Sequence, residues 1–321
     1  MKRRLIIVFL TLFASFGAAA ADVARDPAKL KLASLNAVVI DQSAHRSVYT
    51  KGADDVTPIA SLTKLMTAIV TLDAQLPLDE AIAIDTDDFD YLKGTRSRLR
   101  MGATLSRREM LRLALMSSEN RAASSLARNY PGGTTAFVAA MNEKAHALGM
   151  TRTSFADPTG LSAHNVSTAN DLATLVGTAS EYPEIREFTT TPSHYVEVQP
   201  TGQVLGFNNT NRLVANADWN IHLSKTGYIR EAGKCLVMLA TIASKPFVIV
   251  LLDSAGKFTR LGDAQRVRYW LETGQALGPI APPKATSKPA KIKTVAYKVP
   301  QKPKHAVPVK SASASKPIRR V

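Results

Sequence analysis

Segments with strand character lie at both ends of the globular part of this chain, and helical segments lie between them. β-Branched and alternating apolar residues predict strands in five segments, namely 36–41, 46–50, 221–226, 234–242 and 247–253. Apolar residues recur at helical spacing in five others, namely 62–72, 106–116, 135–148, 168–180 and 260–273. This order predicts an α+β fold whose antiparallel sheet is built from both chain ends and flanked by helices, plus a mostly helical lobe.

The N-terminal residues have the three regions of a secretory signal peptide. Basic residues at positions 2–4 precede an apolar run over 5–16, and small residues follow it. This run is shorter than the roughly 20 apolar residues that span a bilayer. We therefore predict a signal peptide over 1–20 that is cleaved after Ala20, which implies export to the periplasm without a transmembrane anchor.

The C-terminal segment 276–321 carries most of the net charge of +15. Residues 284–320 contain 11 basic residues and no acidic one, so the predicted catalytic domain, 21–275, is nearly neutral. This distribution argues against a nucleic-acid partner. Frequent prolines predict that the tail is disordered. Its role stays open between solubilising the protein and binding an anionic envelope polymer or lipid head groups, which would place the protein peripherally on the membrane or cell wall.

The sequence predicts no disulfide, metal or other cofactor. Its single cysteine, Cys235, lies in an apolar run and is expected to be a buried structural thiol. The six histidines occur in no Ser-His-Asp or zinc-peptidase motif, and the sequence contains no phosphate-binding glycine loop.

Ser61 and Lys64 form the first of three short motifs that carry reactive side chains. Side chains at i and i+3 share one face of a helix and can form a hydrogen bond. A serine hydroxyl is a poor nucleophile until a neighbour takes its proton, and a desolvated lysine can do so. A position near the helix N-terminus also offers free N–H groups to a developing oxyanion. The same spacing recurs at Ser313 and Lys316, so the pair alone indicates little.

Ser118 and Asn120 form the second motif and sit between two predicted helices. A turn there can direct both polar side chains into a cleft. Ser34 and Asn36 have the same spacing, so this pattern is also weak by itself.

Lys225-Thr226-Gly227 forms the third motif and is expected to end the predicted strand 221–226. A cation, a hydroxyl and a residue without Cβ provide a strand edge on which an extended peptide can lie, with Gly227 removing steric obstruction. Lys225 would also lie near a substrate carboxylate, and its charge would lower the pKa of Lys64.

These three motifs, in this order, resemble the signature of penicillin-binding proteins and class A β-lactamases. With the flanking stretches 59–67, 114–123, 157–162 and 222–228, the chain resembles the serine D-alanyl-D-alanine peptidases of low molecular mass. Among these penicillin-binding proteins it resembles the endopeptidases. The resemblance extends over about residues 35–275 and implies a β-lactamase/DD-peptidase-like fold.

The resemblance also implies a role for each motif residue. Ser61 would be acylated, Lys64 would accept its proton, and Ser118 would relay a proton to the leaving amine. The other implied residues bind substrate: they are Asn120 for the amide, Lys225, Thr226 and Gly227 for the terminal region of the peptide, and the N–H groups of Ser61 and Tyr228 for the oxyanion.

We therefore expect a serine DD-endopeptidase that cleaves D-alanyl-diaminopimelyl cross-links in peptidoglycan stem peptides through an acyl-enzyme. Three alternatives stay open: a D-alanyl-D-alanine carboxypeptidase, a β-lactamase, and a non-catalytic envelope-binding protein. Membrane-bound carboxypeptidases of this family add a second domain and an amphipathic anchor, and the sequence shows neither. The sequence has no carboxylate between Thr159 and Asn170 that would speed deacylation, so we expect β-lactams to act as covalent inhibitors.

Overall fold

The computed structural model describes residues 25–278. The predicted signal peptide, 1–20, and all but the first three residues of the predicted tail, 276–321, lie outside the described residues. None of the helices within 25–278 is long and apolar enough to cross a membrane.

A five-stranded antiparallel sheet joins the two ends of the described chain. Its strand order is β2-β1-β11-β10-β9, and the first strand pairs with the last, with Asn36 opposite Leu252. The bounds are β1 Asn36–Asp41, β2 Arg46–Lys51, β9 Asn220–Ile229, β10 Gly233–Ile242 and β11 Lys245–Ser254. The prediction of an α+β fold with a sheet built from both chain ends is confirmed.

Both faces of this sheet are covered by helices. Alternate residues of each strand point to opposite sides and so belong to two different cores. Trp270 and Val267 of the last helix pack with Ala37 and Ile249 on one face. The helical middle of the chain covers the other face, where Val38 and Val250 belong to the larger core. The helical middle is thereby packed against the sheet. The first two motifs lie in this helical part, and the third lies on a strand of the sheet.

Seven α-helices lie within the described residues. They are α1 Lys64–Asp73, α2 Arg107–Met116, α3 Asn120–Arg128, α4 Gly133–Ala147, α5 Ala169–Ala179, α6 Pro183–Thr190 and α7 Thr259–Thr273. α2 begins within one residue of the predicted position. Its N-cap is Ser106, whose hydroxyl accepts a hydrogen bond from the Glu109 N–H. α7 ends at residue 273 as predicted, and the following Gly274 caps it with a φ of 69°.

Three two-stranded sheets also lie within the described residues. They pair β3 Thr57–Pro58 with β6 Val166–Ser167, β4 Ala81–Ala83 with β5 Thr104–Ser106, and β7 Ser193–Val198 with β8 Gln203–Asn208. The first pair fastens the segment before Ser61 to the loop that precedes α5.

The strand prediction over 221–226 is wrong about where the strand ends. β9 continues to Ile229, so Lys225-Thr226-Gly227 lies inside the strand. Pairing with β10 extends over this stretch, with Gly227 opposite Cys235 and Tyr228 opposite Lys234. β9 is nevertheless an edge strand of the five-stranded sheet, so one of its sides is open.

Candidate active site

Ser61 lies in a 3-10 turn, Ala60–Thr63, that runs directly into α1. Ala60 has a left-handed φ of 48°, which is strained for a residue with a Cβ. The Thr63 hydroxyl closes the turn by donating to the Ala60 carbonyl at 2.8 Å. The turn places Ser61 ahead of the helix, with its side chain half-buried.

Lys64 is fully buried beneath Ser61, and its Nζ contacts three oxygens. The distances are 3.0 Å to Ser61 Oγ, 2.7 Å to Asn120 Oδ1 and 2.5 Å to the carbonyl of Thr159. A neutral amine has two N–H donors, and two of these oxygens are carbonyls that only accept. Neutral Lys64 can therefore donate to both carbonyls and turn its lone pair toward the Ser61 hydroxyl.

Burial lowers the pKa of Lys64 to about 7, and the charges of Asp157 and Glu119 oppose this shift. The main cause is thus desolvation, rather than the charge of Lys225 expected from the sequence. Lys225 is also fully buried, and desolvation together with the nearby Lys64 and Arg260 holds its pKa well below the usual lysine value.

Ser118 lies in the tight connection between α2 and α3, and Asn120 follows it at the start of α3. Ser118 has a φ of 60°, and its Oγ accepts a hydrogen bond from Lys225 Nζ at 2.9 Å. Asn120 is the first residue of α3. Its Oδ1 faces Lys64, while its Nδ2 donates to Thr95 Oγ1 at 3.0 Å. The Ser118 hydroxyl is therefore hydrogen bonded to Lys225, and the Asn120 side-chain amide is hydrogen bonded to Lys64.

Gly227 brings β9 against the turn that carries Ser61. A Cβ at this position would lie 2.9 Å from the Ile59 carbonyl oxygen and 3.2 Å from the Ser61 nitrogen. Only a residue without a side chain permits this approach, which is a different reason for glycine from the one predicted. The neighbouring Thr226 hydroxyl donates to Thr210 Oγ1 at 2.7 Å.

The predicted residues converge on one cleft of about 520 Å³. Ser61, Ser118, Asn120, Thr226, Gly227 and Tyr228 line it, together with Asn208, Asn209, Thr210, Arg212 and Arg260. Lys64 and Lys225 lie beneath its floor and hydrogen bond to its hydroxyls. No residue in this lining is acidic, so the cleft suits an anionic substrate.

The competing matches to the motifs do not share this arrangement. Ser34 is buried elsewhere, where its hydroxyl contacts Ser254 and Asp263. Ser313 and Lys316 lie outside the described residues. Two of the histidines, His194 and His222, pair with Glu109 and Thr241, which are not part of the cleft lining.

Other residues with reactive or metal-binding side chains give no second candidate for the chemistry. Cys235 is buried, and burial raises the pKa of its thiol to about 11. Within residues 25–278 no three His, Cys, Asp or Glu side chains are grouped as metal ligands.

Residues 21–256 match the D-alanyl-D-alanine carboxypeptidase family of peptidases, family S11. The chain belongs to this family. It is thus a serine D-alanyl-D-alanine peptidase, and the resemblance inferred from the motifs is confirmed.

This S11 peptidase is similar to known proteins in sequence and in structure. The D-alanyl-D-alanine endopeptidase of Pseudomonas aeruginosa is 52% identical over 281 residues, which cover 86% of this chain and 90% of that protein. The crystal structure of the Streptomyces K15 DD-transpeptidase has a TM-score of 0.71 at 27% identity, covering 78% of this chain and 99% of that one. Penicillin-binding protein D2 of Listeria monocytogenes, in its cefotaxime-bound form, has a TM-score of 0.64 at 30% identity, covering 75% and 98%.

A loop ahead of α5 supports the S11 site, although residue chemistry alone gave it no role. Asp157 Oδ1 accepts hydrogen bonds from the N–H groups of Thr159 and Gly160 at 2.6 and 2.7 Å. Asn165 Nδ2 donates to Thr63 Oγ1 and to the Asp157 carbonyl. These contacts hold the Thr159 carbonyl against Lys64 Nζ. The turn-forming Asp-Pro-Thr-Gly sequence was the only local signal.

Thr95, Thr210, Arg212 and Arg260 were also missed. The hydrogen-bond partners of Thr95, Thr210 and Arg260 are 16 to 33 residues away in sequence, and no local pattern marks such contacts. Arg212 is marked only by its place in the cleft lining.

Gly160 provides a direct test of how the loop packs. It has a φ of +81°, and a Cβ there would overlap the Ala60 carbonyl and lie 2.8 Å from the Ser61 nitrogen. We expect Gly160→Ala to lower the free energy of unfolding by about 2–4 kcal/mol and to slow acylation by penicillin. Gly149→Ala is the matched control, because Gly149 has a similar φ of +74° and open space around it. Equal effects of the two substitutions in denaturant unfolding would contradict this packing role.

Proposed function

We propose that this chain is a serine DD-endopeptidase that hydrolyses D-alanyl-diaminopimelyl cross-links in peptidoglycan through an acyl-enzyme on Ser61. The observation that carries the proposal is the 3.0 Å contact of Ser61 Oγ with the buried Lys64 Nζ, at the floor of a cleft that contains cations and no carboxylate. The endopeptidase of Pseudomonas aeruginosa, 52% identical, supports the type of bond that is cleaved.

In the first half of the proposed reaction, Ser61 Oγ attacks the carbonyl carbon of the donor D-alanine. Its proton passes to the lone pair of neutral Lys64, and the carbonyl π-electrons move onto the oxygen. The N–H groups of Ser61 and Tyr228 would stabilise this oxyanion. The tetrahedral intermediate then collapses to an ester on Ser61 and expels the amine, which takes the proton held by Lys64 by way of the Ser118 hydroxyl, so that Lys64 is neutral again.

In the second half, water attacks the ester carbonyl and releases the D-alanyl carboxylate. Lys64 accepts a proton from the water and passes it to Ser61 Oγ as the ester bond breaks, so the enzyme returns to its starting state. Asn120 would hold the substrate amide in both halves.

The carboxylate next to the scissile bond would lie at the cationic side of the cleft. Lys225 and Thr226 were predicted to bind this end of the peptide, with Gly227 giving the peptide access to the strand. Arg260 adds to them, since its Nη1 donates to the Gly227 carbonyl at 2.9 Å and its buried Nε has no hydrogen-bond partner among the described residues. A carboxylate beside this guanidinium would form a charge-assisted contact with it.

β-Lactams would enter the same reaction as covalent inhibitors, because their ring amide takes the place of the scissile bond. The cefotaxime-bound penicillin-binding protein D2 supports this behaviour. We further propose that residues 21–275 form the catalytic domain and that the protein acts in the periplasm after removal of residues 1–20. Binding of an anionic polymer by 276–321 stays a prediction.

Muropeptide digestion tests the proposed function. Purified cross-linked tetrapeptide dimers and uncross-linked pentapeptides would be incubated side by side with the enzyme and separated by chromatography. We expect dimers to become monomers. Release of D-alanine from the pentapeptide with the dimer left intact would instead identify a carboxypeptidase.

A further inference from the structure

Two arginines line the cleft near Thr226, and their surroundings differ. Arg260, on α7, is half-buried and is held by the carbonyls of Gly227 and Cys235 at 2.9 and 3.3 Å. Arg212 is exposed, and its side chain makes no hydrogen bond or ion pair with any residue in 25–278. Arg212 is therefore a cation of the cleft whose charge is available to a ligand.

The backbone that carries this arginine is fixed from both sides. The side chain of Asn209 donates to the carbonyls of Thr189 and Thr191, both at 2.9 Å. Asn211 is buried, and its Oδ1 caps the following 3-10 turn by accepting from the Leu213 N–H at 3.1 Å. A charged side chain that starts from a fixed backbone loses less entropy on binding.

Thr210 places Arg212 beside the part of the cleft that would hold the leaving group. Its hydroxyl accepts from Thr226, the residue proposed to bind the carboxylate next to the scissile bond. Arg212 follows two residues later in the same fixed segment. A carboxylate bound by Lys225, Thr226 and Arg260 would therefore have Arg212 as the remaining basic residue of the cleft lining.

The leaving groups of the two candidate reactions differ in charge. A carboxypeptidase releases D-alanine, whose single carboxylate is the one next to the scissile bond. An endopeptidase releases a stem peptide that carries further carboxylates, on its D-glutamate and at its C-terminus. Arg212 would therefore find a carboxylate on the leaving group only when that group is a stem peptide.

The geometry points to Arg212 as a specificity-determining residue that binds a second carboxylate of a cross-linked leaving group. This inference rests on the proposed endopeptidase function and names the part of the substrate that selects for it.

Steady-state kinetics on two substrates with the same donor stem test this inference. One is a tetrapeptide dimer, whose leaving group is a stem peptide, and the other is a pentapeptide, whose leaving group is D-alanine. We expect Arg212→Gln to lower the ratio of kcat/KM for dimer over pentapeptide by about tenfold, mostly through a higher KM. Arg212→Lys is expected to restore part of this ratio, because it retains the charge.

Arg46→Gln is the matched control. Arg46 is an exposed arginine on β2, at the opposite edge of the sheet from β9, so its removal changes the net charge equally without altering the cleft. We expect the substrate ratio of this variant to stay within about twofold of that of wild type. The rate of acylation by fluorescent penicillin reports whether each variant has a folded site.

The outcomes separate this inference from the proposed function. An unchanged ratio in Arg212→Gln, or an equal loss on both substrates and on penicillin, contradicts the role of Arg212 alone. A wild-type enzyme that leaves the dimer intact but cleaves the pentapeptide contradicts the endopeptidase function, and the role of Arg212 fails with it.

Discussion

Ser61→Ala is expected to abolish covalent labelling by fluorescent penicillin and to lower dimer hydrolysis by roughly 10⁴-fold or more. The reason is that Ser61 Oγ is the hydroxyl of the cleft that contacts the buried Lys64 amine, at 3.0 Å, whereas Ser118 Oγ accepts from Lys225. Gel fluorescence after incubation with the labelled penicillin measures the first effect, and muropeptide chromatography measures the second.

The control for this substitution is Ser43→Ala, an exposed serine in the turn between β1 and β2. It should label like wild type, and thermal unfolding should show both variants folded. A stable covalent label on Ser61→Ala would mean that another residue is the nucleophile. Loss of function on deleting 276–321, with none from Ser61→Ala, would favour the non-catalytic envelope-binding alternative.

Lys64→Arg is expected to slow acylation by roughly 10³-fold, because a guanidinium remains protonated and cannot take the Ser61 proton. In wild type the base is neutral above its pKa of about 7 and protonated below it. The acylation rate should therefore rise with pH, be half-maximal near pH 7, level off above about pH 8, and at pH 5 be about a hundredfold below that plateau. Stopped-flow measurement of penicillin acylation over pH 5–9 determines both quantities.

Lys144→Arg is the control for the charge-preserving change, since Lys144 pairs with Asp73 outside the cleft. A pH profile that stays flat down to pH 5 would show that Lys64 is not the base. So would a Lys64→Arg variant that acylates at the wild-type rate.

The sequence predicted the sheet well because its strands carry long apolar runs. β10 and β11 are buried along almost their whole length, so continuous apolar stretches marked them. Two helices were not assigned, for a physical reason in each case. α3 has nine residues and buries only one large apolar side chain, Leu126, and α6 has eight residues and begins at Pro183.

The motif residues of the site could be predicted from the sequence, but the residues that hydrogen bond to them from distant loops could not. Ser61 and Lys64 are three residues apart, so local geometry sufficed to bring them together. The carbonyl of Thr159 reaches Lys64, and the hydroxyl of Thr95 reaches Asn120, through loops whose path depends on tertiary packing. The sequence also could not predict why the pKa of Lys64 is lowered, because the complete burial of its side chain is a property of the folded core.

The pairing of β1 with β11 has a consequence for when activity can arise. Asn36 and Leu252 are partners in the sheet although 216 residues separate them, so this contact closes a very long loop. The edge strand that carries Lys225 is held by β10, which in turn depends on β11. We therefore expect that a nascent chain cannot assemble the cleft until its last strand has been made, and that partly synthesised chains do not hydrolyse substrate.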